Sequence, residues 1–136
     1  MEQHVHARGH EHVPAEHTST FELTSDDWLT PAGDCILGVE ADRTPADFDP
    51  AFCEACRDRG AELTATLEVG DYEVTVTGRG DPDLTFDDDR SLVVRTSDYV
   101  DDRTVMVGAD AAAGDLDRSL VAALADGADC RLVLRV

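Results

Sequence analysis

The chain carries one pattern twice, and that repetition limits what it can fold into more than any other feature. Residues 35–42 and 103–110 are short apolar runs that both end in Ala-Asp, at Ala41-Asp42 and Ala109-Asp110. An Asp-apolar-Asp element follows each, Asp47-Phe48-Asp49 and Asp115-Leu116-Asp117. A helical stretch comes next, then Gly60-Ala61-Glu62 or Gly127-Ala128-Asp129, and each copy closes on an apolar run ending in valine, Val69 or Val136. Upstream, Val5-His6-Ala7-Arg8-Gly9-His10 pairs with Val76-Thr77-Gly78-Arg79-Gly80-Asp81, and Thr24-Ser25-Asp26 with Thr96-Ser97-Asp98. The spacing predicts two degenerate copies, about residues 3–69 and 74–136. A unit of roughly 65 residues lies near the lower limit for an independent core. The two copies are therefore expected to share one core, as a single domain over residues 1–136.

Periodicity places the elements within each copy. Residues 3–8 alternate as a strand, with His4 and His6 on one face and Val5 on the other. Residues 17–24 are rich in strand formers and turn Phe21 and Leu23 inward. After turn chemistry at residues 30–34, residues 35–40 read as a buried strand. Asp47 or Asp49 caps a helix with Pro50 in its first turn, and Gly60 stops it. Strands over 62–69 and 72–77 join through Gly70-Asp71. The second copy repeats this with strands at 91–96 and 104–107, a helix capped by Asp115, and a final strand at 130–136. Each unit is βββαβ, and the fold class is α+β, mainly β. The expected architecture is a pseudo-twofold β-barrel with two helices, because closure removes exposed edges. The alternative is a two-layer α+β sandwich.

Charge narrows the function classes. The net charge is -19, and all 11 basic residues are arginines. The acids are spread along the chain as a solvated coat, unlike the single block of an acidic tail. Such a coat repels itself at low salt, whereas molar salt shortens the Debye length to about 3 Å. A cell with a molar-salt interior is implied. Nucleic-acid partners are not expected, since counterion release drives binding weakly in high salt. No stretch approaches the roughly 20 apolar residues of a membrane span, and the polar, His-rich start is unlike a signal peptide. A cytoplasmic place and no membrane partner are expected.

Few residues carry obvious chemistry. Cys53 and Cys56 form a C-x-x-C, but they align with Val121 and Leu124 of the sister helix, which predicts core packing. Cys130 aligns with Leu63 and is read the same way. Cys35 aligns with Arg103 and follows Asp34 at a turn-to-strand boundary, where a thiol can serve as ligand or nucleophile. All five histidines lie in the first seventeen residues and none has a histidine counterpart in the second copy. His10 and His17 flank one loop and, with Cys35 or Asp34, are the candidates for a zinc-type site. Asp42 and Asp110 hold matching places at strand ends, which favours a structural role. Asp87-Asp88-Asp89 reads as solvated surface. No Gly-rich phosphate loop, nucleophile elbow or basic-aromatic patch is present.

Gly9-His10, Val13, His17, Thr20, Glu22, Thr24, Gly33-Asp34-Cys35-Ile36 and Ala41-Asp42 together resemble the archaeal "domain of unknown function 371" family. Ser97-Asp98, Arg103-Thr104, Ala109-Asp110 and Asp115-Leu116 extend the resemblance over nearly the whole chain. It implies an archaeal protein, of haloarchaeal type when joined to the acidic coat, and carries over no catalytic residue. Three functions remain open. The first is a small binding or interaction module for a small molecule or protein, with a polar site near His10, His17, Asp34 and Cys35. The second is a zinc-dependent hydrolase or related enzyme, with His10, His17 and Cys35 or Asp34 as metal ligands and Glu22 or Asp42 as base. The third is a structural or oligomerising factor.

Overall fold

A computed structural model describes residues 1–11, 13–28 and 34–136. Eight strands and two helices follow in the order β1 Glu2–Arg8, β2 Thr20–Thr24, β3 Ile36–Gly38, α1 Pro50–Cys56, β4 Glu62–Val69, β5 Tyr72–Arg79, β6 Ser91–Arg95, β7 Thr104–Met106, α2 Arg118–Ala125 and β8 Asp129–Arg135. They form two four-stranded sheets, β1-β8-β4-β5 and β3-β2-β6-β7. The first sheet is antiparallel throughout. In the second, β2 and β6 pair antiparallel while β3 and β7 flank them in parallel. Alternation sorts the side chains: Val5, Leu23, Leu37, Leu67, Val94, Met106 and Leu132 enter one apolar cluster fed by both sheets and both helices.

The mainly β, α+β class agrees with the sequence, but the closed barrel does not form. Facing edges of the two sheets pair through a single bridge on each side, Arg8 to Val39 and Arg79 to Val107, and beyond it Asp42 and Asp110 hydrogen-bond to His6 and Thr77. The ladder stops there because the next residue turns away: Glu40 and Gly108 follow with φ of 56° and 60°. A left-handed residue redirects the strand before a second pair can form.

The Asp-apolar-Asp element explains both helix starts. Asp47 and Asp115 each accept a backbone N–H at 2.9 Å, from Thr44 and Ala112, and close a turn of 3-10 helix. Asp49 and Asp117, two residues on, cap α1 and α2 through the N–H groups of Ala51 and Ser119. The second helix is thus capped by Asp117 and not by Asp115. Between the two acids, Phe48 and Leu116 point into the core.

Exchanging β1 with β5, β2 with β6, β3 with β7, α1 with α2 and β4 with β8 leaves both strand orders unchanged. Individual contacts exchange in the same way. Gly9 crosses the end of α2, where a Cβ would lie 1.9 Å from the Leu124 carbonyl oxygen; Gly80 crosses the end of α1, 2.0 Å from that of Cys56. The Asp42 carboxylate accepts the His6 N–H at 2.8 Å, and Asp110 accepts that of Thr77 at 2.9 Å. One sequence pairing shifts. Ala41 and Ala109 donate to Thr24 and Arg95, and Glu40 and Gly108 to Asp26 and Ser97. In these contacts Thr24 and Asp26 take the places that Arg95 and Ser97 take, one residue earlier than the likeness of Thr24-Ser25-Asp26 to Thr96-Ser97-Asp98 suggests. Among the described residues no helix is long and apolar enough to cross a membrane.

Candidate functional site

The outer face of the second sheet holds a cleft of about 390 Å³. Its floor comes from the alternation of two central strands. Phe21 and Leu23 go inward, so Thr20, Glu22 and Thr24 of β2 face out, opposite Arg95, Val93 and Ser91 of β6. Glu22, Thr24 and Ser91 line the floor, Ile36 and Trp28 line the wall, and Asp26, Asp88, Arg90 and Arg103 stand around it.

Glu22 lies at the centre. It is only 8% exposed. Its Oε1 accepts a hydrogen bond from Arg103 Nη1 at 3.3 Å. No hydrogen bond from any described residue reaches Oε2. Oε2 keeps some accessible surface, and Glu22 lines the cleft. Burial pushes the Glu22 carboxyl above its ordinary value, and the charges of Arg103 and Arg95 only partly oppose this. Asp101 behaves in the opposite way. Burial raises it, but hydrogen bonds from Arg103 and the charges of Arg95 and Arg103 outweigh that and hold it at about 2. Arg103 binds Asp101 at 2.8 Å and Arg95 binds it at 3.0 Å. Arg95 also donates to Thr104 Oγ1 at 2.9 Å and lies 4.8 Å from the Tyr99 ring. At the far wall Arg90 grips Asp26 with contacts of 2.9–3.2 Å.

Of the residues singled out from sequence, Glu22 lines this floor, and Asp34 and Cys35 lie in the segment that hydrogen-bonds to β2 beside it. Cys35 gives its carbonyl to the Glu22 N–H at 2.9 Å. Its thiol is pushed up by burial and further by the Glu22 charge, with Asp34 adding to it. A thiol in that state is a poor nucleophile and a poor metal ligand near neutral pH. Asp34 acts through its backbone, its carbonyl accepting the N–H groups of Glu16 and His17.

His17 holds a turn. Its Nδ1 accepts the backbone N–H groups of Ser19 at 3.3 Å and Thr20 at 3.2 Å. Nδ1 thus serves as an acceptor, with the Ser19 and Thr20 hydroxyls also beside it at 3.3 and 3.0 Å. In the other half Asp88 Oδ2 does the same job, accepting from Arg90 at 3.0 Å and Ser91 at 2.7 Å. Asp88 is thus not simply the solvated surface that its acidic run suggests.

His10 and Asp42 lie away from the cleft. His10 lines a shallow hollow with Arg8, Gly9 and Gly127, and Asp42 a second one with His6 and Asp129. Among the described residues no three His, Cys, Asp or Glu side chains gather closely enough to hold a metal ion. The thiols of Cys53, Cys56 and Cys130 are buried, and burial pushes Cys56 and Cys130 up to about 12.

Sequence reasoning missed Arg103, Arg95, Asp101 and Trp28. One signal was legible: Glu22 is an acid between two inward apolar residues, Phe21 and Leu23, on a strand whose outward neighbours are threonines. Trp28 is also the chain's one tryptophan, and it stays 55% exposed.

Residues 5–136 match the model of a family described as "Domain of unknown function (DUF371)". The chain is also 37% identical over 127 residues to an uncharacterized protein of Methanocaldococcus jannaschii, covering 93% of each chain.

Proposed function

The chain belongs to that family, and from this premise we propose that it is a small binding module whose ligand enters the cleft over Glu22. One observation carries the reading. A carboxylate that is nine-tenths buried opens to a cleft of about 390 Å³ with one oxygen left without a hydrogen bond. A buried carboxylate without full pairing is costly, and a ligand that donates to it recovers part of the cost. The cleft is also of small-molecule size, within the roughly 300–1,000 Å³ range of such sites. On this reading the site lies beside Asp34 and Cys35, His17 supports it through Thr20, and His10 is outside it.

An enzyme reading starts from the same residue, since a carboxyl raised by burial suits general acid-base work. It lacks an activated nucleophile, because Cys35 is held as the thiol. Binding therefore stands first.

We read the chain as two copies of one βββαβ unit, about residues 3–69 and 74–136, sharing a single domain. The unchanged strand orders and the paired contacts of Gly9 with Gly80 and Asp42 with Asp110 support this. The acidic coat supports a cytoplasmic protein of haloarchaeal type.

A library of metabolite-sized compounds, screened in molar KCl by Trp28 fluorescence and amide chemical shifts, tests the binding reading. Binders are expected to move the resonances of Glu22, Ile36, Ser91 and Arg103. An Ile36→Phe variant, which fills the cleft, is expected to lose them. Binders that ignore this variant, or shifts confined to another face, overturn the proposal.

A further inference from the structure

We propose that the ligand of this cleft is an organic cation, an ammonium, amidinium or guanidinium group carried on a flat or apolar body. The proposal rests on the reading of the cleft as a binding site and adds the chemical class. Both arginines at the cleft are already neutralised by carboxylates of the chain. Arg90 donates three times to Asp26. Arg103 donates twice to Asp101 and once to Glu22. An anionic ligand would have to displace those carboxylates from inside a chain of net charge -19. A cationic ligand displaces nothing, because Glu22 Oε2 faces the cleft without a donor. Charge-assisted bonds to an ionised carboxylate are about twice as strong as neutral ones. Beside that acceptor stand the exposed indole of Trp28 and the half-buried Ile36. An indole face attracts a cation and packs against a planar body.

Binding should be linked to protons. Glu22 is faced by Arg103 and Asp101 from the loop before β7, by Arg95 from β6, by Asp88 from the loop before β6, and by Cys35 from the segment leading into β3. Burial raises the Glu22 carboxyl above its ordinary value in the empty cleft, and a bound cation lowers it. Binding therefore releases a proton and tightens as pH rises through the range where Glu22 ionises.

The test uses three probes of one shape and different charge: benzamidine, benzamide and benzoate. Each is titrated into the full chain in molar KCl, read by Trp28 fluorescence and the Trp28 indole resonance. Benzamidine is expected to saturate and to bind at least about tenfold tighter than the other two, a difference on the scale of one charge-assisted bond. Glu22→Gln is expected to weaken it about tenfold or more while leaving benzamide unchanged. Calorimetry in two buffers of different ionisation enthalpy gives a readout that needs no variant, and proton release on benzamidine binding is expected to grow as pH falls from neutral into the range where the Glu22 carboxyl is partly protonated. Benzoate binding tightest, or proton uptake, overturns the cation class while leaving the cleft a binding site. Saturable benzamidine binding that ignores Glu22→Gln also overturns it. No response to any probe overturns the cation class as well, and the cleft itself is then decided by the library screen and the Ile36→Phe variant.

Discussion

Replacing His17 by alanine separates a turn residue from a metal ligand. In the structure Nδ1 accepts two backbone N–H groups, from Ser19 and Thr20. A hydrogen bond contributes about 0.5–1.5 kcal/mol net, and a buried donor left without a partner costs about 1–3 kcal/mol. Thr20 is buried, so its N–H cannot recruit water freely once the imidazole is gone. The two contacts are long, which favours the lower half of that range. His17→Ala is therefore expected to cost about 1–2 kcal/mol, or roughly 4–8 °C in Tm for a domain of this size. His17→Asn and His17→Asp are expected to recover most of it, because Asp88 accepts the equivalent pair of N–H groups at 2.7 and 3.0 Å. Urea unfolding in molar KCl, followed by circular dichroism, measures all three variants. An alanine variant within about 0.5 kcal/mol of wild type refutes the turn role, since that is the floor for even one net bond. So does an aspartate or asparagine variant as unstable as alanine. Metal content of the untagged protein is measured on the same samples. Near-stoichiometric transition metal in wild type, lost in every variant, would return His17 to the ligand set.

Three other outcomes are expected. Gly9→Ala and Gly80→Ala should each cost about 3 kcal/mol or more, because the new Cβ meets backbone carbonyls that cannot move aside. Gly70→Ala, with φ of 56° and open space around it, should cost only the about 1–2 kcal/mol of a left-handed alanine; equal losses at all three sites would refute the close-approach argument. Glu22→Gln should raise Tm at neutral pH, where the wild type keeps a disfavoured buried charge. The gain should vanish below about pH 4, where the unfolded carboxyl is itself protonated. Asp101→Asn has the opposite sign. A carboxyl held at about 2 stabilises the fold above its unfolded value and loses this between about pH 4 and pH 2, so the variant should lose about 1–2 kcal/mol at neutral pH and nothing at the acid end. Chemical unfolding as a function of pH reads both. Finally, dialysis from molar KCl to about 50 mM salt should unfold a chain of charge -19, and an unchanged circular-dichroism spectrum there refutes the screening argument.

Most of the fold was legible because it is written in local signals. Alternation placed seven-residue β1 and the β4–β5 hairpin, and the paired acids before α1 and α2 marked both helix starts. Alignment of Cys53 and Cys56 with Val121 and Leu124 correctly put the C-x-x-C in the core. What failed was non-local. Barrel closure depended on whether the ladder continues past Val39 and Val107, and one left-handed residue at each place decided it. The role of Asp115 failed by two residues because two acids compete for one helix start. Of the residues lining the proposed cleft, only Glu22 was legible, with Asp34 and Cys35 beside it. Arg103 and Asp101 lie about eighty residues from Glu22 along the chain and reach it through the β2–β6 ladder and the loop that follows, a pairing no local pattern encodes. His17 misled because histidine and aspartate offer the same acceptor to a turn while suggesting different chemistry.

The position of the cleft follows from the proposed duplication. Glu22 is the third residue of five-residue β2, and Val93 is the third residue of five-residue β6. They are direct partners across the ladder. In the other sheet the fifth residue of β4, Thr66, faces the fifth residue of β8, Val133. If the halves are copies, each of these residues faces its own counterpart, and an axis relating the copies passes between them. A carboxylate at the first position would then meet a second carboxylate, and like charges directly opposite destabilise a sheet. The axis is thus the one place where copies cannot both keep an acid. Divergence there yields Glu22 against a buried Val93, with Cys35 corresponding to Arg103 and Thr24 to Arg95. The cations that hold Glu22 and Asp101 therefore come from one half, and the carboxylate with the vacant oxygen comes from the other. A site built this way requires both copies and requires them to differ. That accounts for a polar cleft at the centre of the sheet, while the paired turns, caps and glycine crossings away from the axis kept their shared form.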